Sequence, residues 1–129
     1  MIYIRNNQES LNQKLSDNFR ASEFRCNCMQ CDVTMVHEYG LHLLNVLREL
    51  YGKAIILNSA YRCQQYNRTI PNASPHSYHV RGMAWDIALP KEKEYKDYLI
   101  AFCRVVFPDM YVAPTFVHVS IKGFETKTY

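Results

Sequence analysis

Two short segments, 82–88 and 115–121, alternate bulky apolar residues with small or polar ones, and this alternation constrains the fold more than any other feature of the chain. In the first, Met83, Trp85 and Ile87 alternate with Gly82, Ala84, Asp86 and Ala88. In the second, Val117, Val119 and Ile121 alternate with Phe116, His118 and Ser120. Successive side chains of a strand point to opposite faces, so each segment reads as a strand with one core face and one face free to carry chemistry. Asp86 and His118 fall on those second faces.

Elsewhere the period is helical. After Thr34, a suitable N-cap, apolar residues recur at Val36, Leu43, Leu44, Leu47 and Leu50, and Gly52 supplies a C-terminal stop. Tyr95, Leu99, Phe102, Val105 and Val106 define a second helix over 91–107, which Pro108 ends. Residues 54–58 read as a buried strand, 63–68 as a short helix and 69–78, rich in Pro, Asn and Ser, as a loop. A short strand at 2–4 and a polar helix or turn at 8–15 precede them. The implied class is α+β, a small and largely antiparallel sheet packed by helices. With 129 residues and no repeat or linker, one domain over 1–129 is expected.

Fifteen basic against twelve acidic side chains leave a net charge of +3, too little for the basic footprint of a nucleic-acid binder. No apolar run approaches the ~20 residues of a membrane span, and Met1–Asn7 lacks the pattern of an export signal. Synthesis in the cytoplasm, as a monomer, is the expectation.

The densest chemistry lies in Ser77-Tyr78-His79-Val80-Arg81-Gly82-Met83-Ala84-Trp85-Asp86. Gly82 lets the backbone turn between the imidazole and the carboxylate. With His118 on the matching face of a second strand, two imidazoles and one carboxylate could converge, a set that binds Zn²⁺ with a fourth position open.

The pattern Ser77-x-His79-x-x-Gly82-x-Ala84-x-Asp86, preceded by Ser59-Ala60-Tyr61-Arg62 and Asn67 and followed by Phe116-Val117-His118-Val119, resembles the zinc D-alanyl-D-alanine carboxypeptidase family. That family includes cell-wall endopeptidases and phage lysis enzymes and shares its fold with the hedgehog signalling domain. The likeness covers about residues 18–121. It implies that His79, Asp86 and His118 bind Zn²⁺, that Arg62 grips a substrate carboxylate or neighbouring carbonyl, and that Ser77 hydrogen-bonds substrate. Ser77 reads equally as a loop-stabilising hydroxyl, and Arg62 without the motif as a solvated arginine. The implied activity is metal-assisted hydrolysis of a peptidoglycan stem or cross-link peptide, by a carboxypeptidase or an endopeptidase, with the chain reaching the wall through another agent's help.

The general base is missing from this pattern. Members of the family carry an acidic residue three positions, or a histidine two positions, before the last ligand, where this chain has Thr115 and Phe116. The nearest titratable candidates are Asp109, which also reads as a turn residue after Pro108, and His76 in the loop. Ser120 stands where many relatives carry an Asp. A non-catalytic zinc-bearing module for wall or protein binding is the rival reading, and the absent base supports it.

A second cluster, Cys26-x-Cys28-x-x-Cys31 with Cys63, could bind a structural Zn²⁺. Ordinary half-buried thiols, or a Cys26–Cys63 disulfide formed in an oxidising space, are the alternatives. His37 and His42, five positions apart on the first long helix, do not share a face and read as surface or capping residues. Tyr61 and Tyr78, beside motif residues, are candidates to line a substrate groove.

Overall fold

The structure is a computed structural model describing residues 1–128. Its strands form three antiparallel sheets. β1 (Ile2–Arg5) pairs with β4 (Val33–Val36), and β2 (Lys14–Ser16) with β3 (Phe19–Arg20). The main sheet runs β5 (Leu57–Ser59), β6 (Ala84–Ala88), β8 (Phe116–Ser120), β7 (Asp109–Val112). Two helices of equal length, α2 (Glu38–Tyr51) and α4 (Lys93–Val106), pack against each other and against this sheet. Short helices α1 (Gln8–Leu11) and α3 (Gln64–Asn67) and 3-10 turns at Ala21–Phe24 and Tyr78–Arg81 complete the chain. The α+β class expected from the alternation is the one found.

The apolar faces of β6 and β8 behave as their pattern requires. Trp85, Ile87, Val117 and Val119 are buried, and each such side chain contributes roughly 1.5–3 kcal/mol by leaving water. Trp85 lies directly on α2 at Gly40, where an added Cβ would stand 2.0 Å from the indole edge. Close approach of helix and sheet therefore depends on the missing side chain.

The first long helix begins later than its apolar stripe suggests. Thr34 and Val36 belong to β4, and Thr34 Oγ1 donates to Asn6 Oδ1 (2.6 Å) rather than capping a helix. His37 is the N-cap, its Nδ1 accepting from the Tyr39 N–H, and Gly52 closes the helix in the left-handed region as expected. Leu41, Leu43, Leu44 and Leu47 form the buried face, while Leu50 is exposed. On α4, Leu99 and Cys103 are buried, with Phe102 and Val106 packed against the core, whereas Val105 is 80 % exposed. Cys103, not Val105, faces inward.

The strand expected at 54–58 is β5 at Leu57–Ser59, with Ile56 exposed. The helix expected at 63–68 is α3, and Cys63 is its N-cap. The β2–β3 pair and β7 are additions the sequence pattern did not locate.

Candidate metal centre

The register of the main sheet places Asp86 of β6 opposite His118 of β8, and His118 opposite Tyr111 of β7. The three share the face turned away from the helices, so alternation alone puts a carboxylate, an imidazole and a phenol in one row. His79 reaches the row from the 3-10 turn Tyr78–Arg81. Ser77 Oγ caps that turn by accepting the His79 N–H (3.2 Å), and Gly82 ends it at φ +68°. At Gly82 a Cβ would stand 2.6 Å from the Met35 carbonyl oxygen, so the turn is seated against β4.

His79, Asp86 and His118 each offer one ligand atom, and the three atoms lie within 4.8 Å of one another. Asp86 Oδ1 is 3.2 Å from His79 Nε2 and 2.9 Å from His118 Nδ1. The opposite nitrogen of His79, Nδ1, is 2.7 Å from the Ala60 carbonyl oxygen. A carbonyl only accepts, so Nδ1 carries the ring proton and Nε2 turns its lone pair toward the carboxylate. That meeting is favourable only with a second ring proton or with a cation shared by carboxylate and imidazoles. The donor set of two nitrogens and one oxygen, with His79 and Asp86 buried and His118 half-buried, therefore fits a divalent ion, and the Ala60 carbonyl orients one ligand.

Burial pushes the Asp86 carboxyl up, but hydrogen bonds to His118 and His79 outweigh it and bring it down to about 2. The carboxylate is ionised across the physiological range. Tyr111 stacks on the His118 ring, 4.7 Å between centroids at 16°, and fixes the plane of that imidazole.

Arg62 is buried, not solvated. Its Nη1 donates to Asn67 Oδ1 (3.0 Å), its Nη2 lies 3.5 Å from Ser59 Oγ and 3.8 Å from Asp86 Oδ2, and its Nε has no protein partner. Asn67 is itself held by donation to the Ser74 carbonyl (2.8 Å), so α3 and the loop after it fix the guanidinium beside the donor set.

These groups line a cleft of about 650 Å³. Ser77, Tyr78, His76 and Asp109 line it too; Tyr61 does not, and sits near the cysteines instead. Asp109 is the first residue of β7 rather than a turn residue, and it accepts a hydrogen bond from Ser120. Tyr78 donates to Glu125 Oε1 (2.7 Å). His37 Nε2 is 3.1 Å from the Glu125 carbonyl, which with its capping role agrees with the expectation for that residue. Tyr111 is not among the residues that the motif singles out; its signal is the short alternation of Met110 and Val112 with Asp109 and Tyr111.

The four cysteines of the second cluster come together, their sulfurs within 4.8 Å of one another. All five cysteines are free thiols, and Cys26 and Cys63 are 3.8 Å apart at sulfur, so the disulfide alternative is not what the structure holds.

A family model described as Peptidase M15 matches residues 17–120, from the β2–β3 connection to the end of β8. No curated protein and no solved structure matches the chain.

Proposed function

Because the chain belongs to the peptidase M15 family, a family of zinc peptidases, we propose that it hydrolyses D-amino-acid-containing peptides of bacterial peptidoglycan, with zinc held by His79, Asp86 and His118. The observation that carries this reading is the meeting of the three donors on the floor of a cleft beside a buried arginine. Zinc at such a site supplies Lewis-acid polarisation of a carbonyl and activation of water.

The chain's own residues do the rest. Asp86 and the two imidazoles would hold the ion at the cleft, where it would supply that chemistry to a bound peptide. Arg62, anchored by Asn67, offers a planar guanidinium to a peptide carboxylate or carbonyl, a geometry suited to paired hydrogen bonds. Ser77, which caps the His79 turn, also lines the cleft and is assigned a hydrogen bond to substrate. Among the described residues Asp109 is the only cleft-lining carboxylate apart from Asp86, and we assign it the acceptance of the proton released in hydrolysis. The setting that follows from this substrate is wall lysis, as by a phage lysis enzyme once it is released to the wall.

The test is purified zinc-loaded protein on isolated peptidoglycan. New amino termini or free alanine are expected, lost on chelation and in His118→Ala. The rival, a zinc-bearing binding module, draws support from Thr115 and Phe116 standing where relatives place the base. It predicts intact wall peptides together with retained wall binding.

A further inference from the structure

Cys26, Cys28, Cys31 and Cys63 take no part in the cleft, yet they converge from separate parts of the chain. The first three lie in the connection between the 3-10 turn Ala21–Phe24 and β4, which reverses through Met29 at φ +60°. The fourth opens α3 as its N-cap.

Two features separate this arrangement from chance packing of thiols. The first is spacing: Cys63 Sγ is 3.8 Å from both Cys26 Sγ and Cys28 Sγ. Sulfurs bound tetrahedrally at about 2.3 Å from one zinc ion stand about 3.8 Å apart. The second is that each of the four sulfurs receives an N–H. Cys26 accepts from the Cys63 backbone (3.4 Å), Cys28 from Gln30 (3.4 Å), Cys63 from Tyr66 (3.4 Å) and Cys31 from the Asn6 side-chain amide (3.6 Å). A neutral thiol is a weak acceptor, whereas a thiolate sharing a cation is stabilised by donors aimed at it. Hydrophobic burial does not explain the cluster either, because Cys28 and Cys31 are only half-buried.

We propose that Cys26, Cys28, Cys31 and Cys63 bind a second zinc ion in a closed tetrathiolate site. Four protein ligands leave no open position, so the site is structural. Each thiol that coordinates gives its proton to solvent, and the surplus negative charge is met by the four N–H donors and by Arg25, whose guanidinium donates to the Met29 carbonyl in the same turn (3.1 Å). Cys63 directly follows Arg62, so the ion ties the N-terminal loop to the segment that presents the guanidinium to the cleft. This site does not depend on what the cleft hydrolyses.

Cobalt substitution of the full-length protein is the test. Two equivalents of Co²⁺ per chain are expected, one giving intense sulfur-to-metal charge-transfer absorption in the near ultraviolet. Cys28→Ser should lose that absorption and one equivalent. His118→Ala should lose the other equivalent and keep the absorption. A thiol-blocking mercurial added to the zinc form should release the cysteine-bound equivalent, a readout that needs no variant. Wild-type protein that takes up Co²⁺ without thiolate charge transfer overturns the proposal, as does freshly isolated protein whose peptide map under non-reducing conditions shows Cys26 joined to Cys63.

Discussion

Asp109 stands directly across the β7–β8 pair from Ser120 and accepts a 2.6 Å hydrogen bond from its hydroxyl. β7 thus sets a carboxylate beside Ser120, the position at which the family resemblance implies an Asp in many members. Asp86 is hydrogen-bonded to the two imidazoles, so among the described cleft-lining residues Asp109 is the remaining carboxylate, and the proposed role for it is to accept a proton. Asp109→Asn should lower kcat by about 10²–10⁴, the usual range for a general base, with KM and zinc content little changed. His76→Ala, on the exposed loop, should leave kcat close to wild type. Steady-state kinetics on a stem peptide checks both, and equal losses in the two variants would remove the assignment.

Gly82 and Gly52 both adopt positive φ, but their surroundings differ. A Cβ at Gly82 meets the Met35 backbone at 2.6 Å, whereas at Gly52 nothing lies within 4 Å. Gly52→Ala should cost about 1 kcal/mol, the backbone preference alone. Gly82→Ala adds a backbone clash next to the turn that carries His79, so it should cost about 2–4 kcal/mol and weaken zinc binding as well. Urea denaturation with zinc titration separates the two effects.

The site was more legible in the sequence than its frame, for a local reason. Asp86 and His118 lie on strands whose opposite faces hold Trp85, Ile87, Val117 and Val119, so period-two alternation was enough to place them. β7 is hard to read because its alternation, Met110 and Val112 against Asp109 and Tyr111, spans only four residues and none of them is fully buried. Thr34 carries a good capping side chain, but pairing of β4 with β1 and a hydrogen bond to Asn6, 28 positions away, override that local preference. The burial of Arg62 likewise depends on Asn67 and through it on the Ser74 carbonyl, a chain of contacts that no spacing rule contains.

The Asp86 carboxyl, held down to about 2 by its imidazole neighbours against the cost of burial, gives the metal-free protein a definite acid response. A carboxyl whose folded value is depressed contributes stability that is complete above its unfolded value, near 3.8, and that is lost as pH falls toward 2. Chelated wild type should therefore lose urea midpoint between about pH 4 and pH 2 more steeply than chelated Asp86→Asn, which lacks the titrating group. Parallel curves for the two proteins over that interval would contradict the hydrogen-bonding pattern at the centre.

Arg62→Lys keeps the positive charge and removes the fork. Lysine cannot reproduce the geometry in which Nη1 is anchored on Asn67 while Nη2 stays directed past Ser59 toward Asp86. Loss of a charge-assisted hydrogen bond of about 1.5–3 kcal/mol corresponds to about 10- to 150-fold in kcat/KM. If the guanidinium grips a terminal carboxylate, that loss should appear on a peptide ending in free D-alanine and shrink to a few-fold on the same peptide with its terminus amidated. If it grips a backbone carbonyl, the two peptides should lose equally. The comparison assigns the arginine's partner and, with it, decides between removal of a terminal residue and cleavage within a cross-link. Zinc content measured on the same preparations should match wild type, since Arg62 is not among the three donors.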